Sequence, residues 1–152
     1  MSHVPFRLAS VLALRESQLT EALQKVSQIE TEANLLEYRL KAISRERNAT
    51  FARITPSGEL DAADLWLASQ YLDVLEQQAL SIRGQVGLVQ GQLAQARTVV
   101  LERHQAVDVL MRLRERLEAA ARQDELRVEQ RHLDEVAAVR AERRRRNRGR
   151  TP

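Results

Sequence analysis

The residue types that could do chemistry in this chain are few and scattered. Its three histidines, His3, His104 and His132, are far apart, and no His-x-x-x-His pair occurs. The absence of cysteine excludes disulfides, thiolate catalysis and zinc sites built on Cys. No glycine-rich loop precedes a Lys-Ser or Lys-Thr pair, as a phosphate-binding loop requires. The sequence therefore predicts no catalytic residue, no metal site, no cofactor and no small-molecule substrate.

Three glycines stand close together in "RGQVGLVQG": Gly84, Gly87 and Gly91. They lack the spacing that cradles a phosphate and follow no predicted strand. They fall on the outer face of a predicted helix, where each costs ~1 kcal/mol relative to alanine. The pattern favours a softened stretch of helix, with the close approach of another protein as the alternative.

Arginine is concentrated near the end of the chain, in "RAERRRRNRGR". Residues 139–152 carry seven Arg and one acid, a net charge of +6, whereas residues 1–138 carry a net charge of −3. A protein that follows phosphates along its body normally spreads a basic stripe over that body. We therefore predict a basic flexible tail that contacts an acidic partner surface or an anionic membrane. A nucleic-acid-associated coiled coil acting through this tail is the alternative.

The elements that must position any binding residues are two long helices. Only five Gly and three Pro occur in 152 residues, and good helix formers dominate. Apolar residues recur at alternating steps of four and three, which is the coiled-coil spacing. We call these positions the seam: Leu8, Leu12, Arg15, Leu19, Ala22, Val26, Ile29, Ala33, Leu36, Leu40 and Ile43, then Leu65, Ala68, Leu72, Leu75, Ala79, Ile82, Val86, Val89, Leu93, Ala96, Val100, Arg103, Val107 and Leu110.

One turn separates the two runs of the seam. Pro56 disfavours helix at the residue before it, Gly58 tolerates a positive φ, and Asp61 can cap a following helix. We therefore predict a turn over about residues 52–61.

The predicted helices differ in length. They span about residues 5–51 and 62–145, roughly 70 Å and roughly 125 Å at ~1.5 Å per residue. The predicted fold class is all-α, with the two helices forming an antiparallel coiled-coil hairpin over residues 1–138. The second helix is longer and projects beyond about Val107. A symmetric dimer through the projecting segment is possible on this pattern.

Apolar residues that the seam does not need are the best candidates for binding. Leu67, Tyr71 and Val74 are spaced four and three apart beside the seam, with Trp66 at the start of the run. Exposed apolar edges of this kind tend to mark protein contacts. We predict that these four residues bind a partner.

The chain has no apolar run near the ~20 residues that cross a bilayer, and its first residues lack the apolar core of a signal peptide. We therefore expect a soluble cytoplasmic protein.

The opening run contains Phe6-Arg7-Leu8, then Val11-Leu12, then Leu14-Arg15-Glu16. Further along come "QYLDVLE" at residues 70–76 and "HLDEVA" at residues 132–137. In their order and spacing these stretches resemble the FliJ family of flagellar type III export proteins. The YscO-type stalk proteins of injectisomes share the predicted architecture and are the alternative within this class.

The resemblance implies a non-enzymatic hairpin similar to the central stalk of rotary ATPases. It implies two main partners, a hexameric export ATPase (FliI-like) and a membrane export gate protein (FlhA-like), with export chaperones as a further set. A general chaperone role and recruitment to the inner membrane through partners are also implied. For the gate contact, the family pattern corresponds to Tyr71 and Leu75 on the second helix and Leu40 on the first. A structural dimeric coiled coil with no dedicated partner is a third, weaker reading.

Overall fold

The computed structural model describes residues 6–54 and 61–149, and two α-helices contain nearly all of them. Helix α1 (Ala9–Ile54) has 46 residues and helix α2 (Ala62–Arg148) has 87. The described part of the chain contains no strand. The predicted all-α fold, with a second helix longer than the first, is confirmed.

Helix α1 begins four residues and ends three residues later than predicted. The Ala9 amide donates to the Phe6 carbonyl (3.0 Å) and the Leu12 amide to the Leu8 carbonyl (2.8 Å), so a turn precedes the first helical bond. At the other end, the Thr50 hydroxyl donates to the Glu46 carbonyl (2.8 Å). That bond satisfies the Thr50 hydroxyl without interrupting the helix, which continues to Ile54. The predicted start at residue 5 lies outside the described residues.

Helix α2 begins where the capping argument predicted. The Asp61 carbonyl accepts a bond from the Leu65 amide (3.1 Å), which places Asp61 at the N-cap, and Asp64 lies in the first turn. A carboxylate there interacts favourably with the helix dipole. Residues 55–60, which hold most of the predicted turn, lie outside the described part of the chain.

Helix α2 continues to Arg148, so the described part of the predicted basic tail is helical. No proline interrupts residues 62–148, and arginine is a good helix former. The division into a hairpin ending at residue 138 and a separate flexible tail stays a prediction.

Residues 15–105 form one compact unit in which the helices run antiparallel. Contacts between the helices join Gln18 to Arg103 and Glu30 to Arg97. The residue number of the partner on α2 therefore decreases as the residue number on α1 increases. The core of the unit is a cluster of Ile29, Leu36 and Val89. Packed against that cluster are Ala33, Ile82, Val86, Leu93 and Ala96. All these residues are seam positions, so the predicted hairpin pairing is confirmed here.

The described parts of residues 1–14 and 106–152 form a second unit. Its buried apolar residues are Leu12 and Val107, both seam positions. Over residues 111–149 every side chain is exposed apart from three half-buried ones, Glu118, Ala121 and Val136. Periodic burial therefore ends near Leu110, where the apolar pattern of the sequence also weakens.

Candidate protein-contact surface at the start of α2

The six residues predicted to contact partners divide by exposure. The exposed group is Trp66 (62%), Leu67 (59%), Val74 (51%) and Tyr71 (41%). Leu40 is half-buried and Leu75 is only 5% exposed, and both occupy seam positions. The structure thus leaves four of the six accessible to a partner.

The geometry of α2 explains why Leu67, Tyr71 and Val74 share an edge, while Trp66 lies on a neighbouring side of the helix at the start of the run. Leu67, Tyr71 and Val74 each precede a seam residue by one position, which is about 100° around the helix. They therefore flank the buried seam and cannot enter it while the seam residues pack. We call Trp66, Leu67, Tyr71 and Val74 the contact stripe.

Leu75 lies within the seam of the hairpin. At 5% exposure, its side chain is reached by another protein only if α1 and α2 separate. Its direct effect in this conformation is on packing, and a role in partner binding stays a prediction. The same reasoning applies in weaker form to the half-buried Leu40.

A polar cluster joins the contact stripe to the end of α1. The Tyr71 hydroxyl is hydrogen-bonded to the Glu46 carboxylate. Arg53 lies 3.5 Å from the same carboxylate and also donates to the Thr50 hydroxyl (3.4 Å). Desolvation raises the pKa of Tyr71, Glu46 raises it further through its hydrogen bond and its charge, and the Arg53 charge lowers it. The cluster thus places Glu46 and Arg53 of α1 near the Tyr71 hydroxyl of α2.

Thr50, at 4% exposure, is a buried member of this polar cluster that the sequence analysis missed. The apolar pattern stops at Ile43, but the same steps of four and three lead on to Arg47 and then Thr50. Thr50 is therefore a polar seam position, and its buried hydroxyl is satisfied by the Glu46 carbonyl. Continuing the spacing through polar residues would have found it.

Ion pairs on the hairpin surface also connect the helices. The closer one joins Arg97 to Glu30 at 3.0 Å, and Arg47 lies 3.8 Å from Glu76, which also pairs within α2 with Arg83 at 3.4 Å. All of these side chains are substantially exposed, so each pair contributes about 0–1 kcal/mol. They favour the observed register but do not by themselves hold the helices together.

The two arginines that interrupt the apolar seam meet in the structure. Arg15 and Arg103 both donate to the Oε1 atom of Gln18, each at 3.1 Å. All three side chains are half-buried. A polar layer in a coiled-coil seam costs stability but specifies which positions face each other.

No group of three or more His, Asp or Glu among the described residues could hold a metal ion. A shallow groove of about 530 Å³ in residues 15–105 is lined by Ala22, Lys25, Ile29, Gln92, Gln95, Ala96 and Val99. Its one titratable group, Lys25, has no acid or nucleophile beside it in that lining. None of the described helices is long and apolar enough to span a membrane.

These observations define a two-helix coiled-coil protein with exposed apolar residues beside its seam. The family model described as Flagellar FliJ protein matches residues 4–146, nearly the whole chain. The chain therefore belongs to the FliJ family, as the opening motif predicted. None of the curated proteins and none of the solved structures compared with it matches. The relation to YscO-type stalk proteins stays a prediction.

Proposed function

We propose that this protein is a non-enzymatic stalk and general chaperone of the flagellar type III export apparatus. Its family membership supports a role in flagellar export. The antiparallel hairpin of residues 15–105 supports the stalk role, because paired helices resist bending better than one helix. The protein acts in the cytoplasm and reaches the inner membrane through its partners.

The proposed partners are an export ATPase hexamer (FliI-like) and an export gate protein (FlhA-like), together with export chaperones. The observation that carries the proposal is the contact stripe, which keeps Trp66, Leu67, Tyr71 and Val74 exposed beside a buried seam. Large aromatic and aliphatic side chains held on a rigid helix are typical centres of protein interfaces. We assign the stripe to the gate protein.

The ATPase part of the proposal is tested with purified components. Adding this protein to its cognate export ATPase should raise ATP turnover or promote ring assembly. The measurements are phosphate release and sedimentation of the ring. No binding and no change in either measurement would overturn this part.

The gate part is tested with variants of the stripe. Tyr71→Ala and Val74→Ala together should weaken binding of the cytoplasmic part of the gate protein by about tenfold or more, because interface centres carry most of the binding energy. The matched control is Leu80→Ala with Leu88→Ala, which removes two other exposed apolar side chains of α2. Equal loss in both variants would show that the stripe is not the gate contact.

A further inference from the structure

The far part of α2 carries a second face, distinct from the contact stripe. Positions at alternating steps of three and four place six residues on one side of the helix. They are Leu126, Gln130, Leu133, Ala137, Arg140 and Arg144, which we call the distal face. All six are exposed, including Leu126 at 64% and Leu133 at 61%.

The distal face is apolar in its first half and basic in its second. Leu126 and Leu133 lie one heptad apart, and Arg140 follows at the next heptad. Neither Arg140 nor Arg144 has a carboxylate within 4.0 Å among the described residues. Two exposed leucines followed by two unpaired guanidinium groups thus occupy one line along the helix.

Of the six acids in residues 124–142, three lie on the side of α2 away from the distal face, and Asp134 accepts a hydrogen bond from the face residue Gln130 (2.9 Å). Asp124, Glu135 and Glu142 each lie two positions from a face residue, which is about 200° around the helix. Glu142 is the one acid of residues 136–149, and it pairs with Arg146 at 3.2 Å. Among the described residues, therefore, no acid forms an ion pair with the basic half of the face.

We propose that the distal face binds an amphipathic helix of another protein, one with apolar residues in one half and acidic residues in the other. The three-and-four spacing fits a helical partner, because it is the spacing of a coiled-coil seam. The acids would pair with Arg140 and Arg144, whose planar guanidinium groups suit bidentate contacts with carboxylates.

A second copy of this chain is a poor occupant. In a parallel dimer Arg140 and Arg144 would face their own copies, and like charges on facing positions repel. In an antiparallel dimer the arginines of each copy would face the leucines of the other, leaving charges against apolar side chains. A lipid surface is also a poor fit, since two leucines separated by Gln130 make a narrow apolar face for membrane insertion.

The probe is a synthetic helical peptide with leucine at the seam positions of one half and glutamate at those of the other. It is made in both orders, to allow parallel and antiparallel pairing, and with lysine in place of glutamate as a third peptide. Fluorescence anisotropy with the full chain should show binding of one glutamate peptide at about 10 μM or tighter, and none of the lysine peptide.

Two pairs of variants locate the binding. Arg140→Gln with Arg144→Gln should weaken binding of the glutamate peptide by about three- to tenfold. Arg131→Gln with Arg145→Gln, an equal charge change off the face, should leave that binding unchanged. Leu126→Ala with Leu133→Ala should weaken it about tenfold or more, and Val128→Ala with Val139→Ala should not.

Four outcomes would overturn the proposal. They are no binding of either glutamate peptide, equal losses in the face and off-face variants, binding to vesicles containing anionic lipid without binding to the peptide, and self-association of the chain that Leu126→Ala with Leu133→Ala abolishes. None of these bears on the contact stripe or the export ATPase, so the proposed function is tested separately.

Discussion

Residues 15–105 and residues 111–148 are both helical, yet they are stabilised differently. In the first region no seam position from Arg15 to Ile43 or from Ala68 to Arg103 is exposed. In the second, continuing the same steps reaches Arg114, Leu117, Ala121, Asp124, Val128 and Arg131, and only Ala121 is even half-buried. Good helix formers make both regions helical, but pairing of helices requires an apolar period that is sustained over many turns.

The polar contacts differ in the same way. In residues 15–105 several join positions far apart in the chain, such as Arg97 to Glu30 and Arg103 to Gln18. In residues 111–148 they are local, as for Arg114 to Glu118 at 2.9 Å. Such local pairs add about 0.2–0.5 kcal/mol to an isolated helix. The comparison predicts that the hairpin unfolds cooperatively, whereas the distal helix unfolds with little cooperativity.

The largest expected effect is truncation of a seam leucine. Leu36→Ala should lower the free energy of unfolding by about 2–4 kcal/mol, because Leu36 is 5% exposed and its removal leaves a cavity. Leu133→Ala in the distal region should change it by less than about 0.5 kcal/mol. Urea denaturation of both variants tests the contrast. Equal changes would mean that the two regions unfold as one packed structure.

The three glycines on the hairpin should show the next largest effect, with the opposite sign. Gly84, Gly87 and Gly91 are helical, lack positive φ, and have open space where a Cβ would lie. Replacing all three by alanine should raise the free energy of unfolding by about 2–3 kcal/mol.

The distal counterpart of the glycine variant is Ala120→Gly. It should reduce helical circular dichroism while leaving the urea midpoint of the hairpin unchanged, because residue 120 is exposed. A large shift of that midpoint would contradict the separation of the two regions.

A smaller loss is expected from the polar layer. Gln18→Ala removes the acceptor shared by Arg15 and Arg103, leaving two half-buried cations without it. The free energy of unfolding should fall by about 1–2 kcal/mol. In the distal region, Gln130→Ala removes a local bond to Asp134 (2.9 Å) and should cost less than about 0.5 kcal/mol. Thermal unfolding of the Gln18→Ala and Gln130→Ala variants measures the two losses.

The smallest effect concerns the Tyr71 hydroxyl. Glu46→Gln should lower the pKa of Tyr71, since it removes the negative charge beside the phenol. The titration is followed by phenolate absorbance, with Tyr38→Phe in both proteins so that one tyrosine remains. Because its folded-state pKa is raised, Tyr71 contributes to the stability of the fold at pH values below the usual pKa of about 10. That contribution is lost as the pH rises through the folded-state pKa. An unchanged Tyr71 pKa would rule out the Glu46 contact.

Most of the fold was predictable, because the pattern of seam residues encodes both helix and pairing. The spacing from Leu12 to Ile43 and from Ala68 to Leu110 predicted positions that the structure buries or half-buries. The helix bounds were less accurate, since α1 runs from Ala9 to Ile54 where about residues 5–51 were predicted. In the candidate surface, spacing identified Leu67, Tyr71 and Val74 as a stripe and Leu75 as a seam position, and it was the family resemblance that added the buried Leu75 to the binding candidates.

By itself the sequence determined that the chain is helical, that its helices pair antiparallel around one turn, and that it belongs among FliJ proteins. Each of these depends on local composition, on the period of apolar residues or on short motifs, all of which are linear properties. Only the tertiary structure decided which side chains are hidden from a partner. It also brought Arg15, Gln18 and Arg103 into one layer and placed Tyr71 on Glu46. Those contacts join residues far apart in the chain, and their distances depend on how the two helices pack.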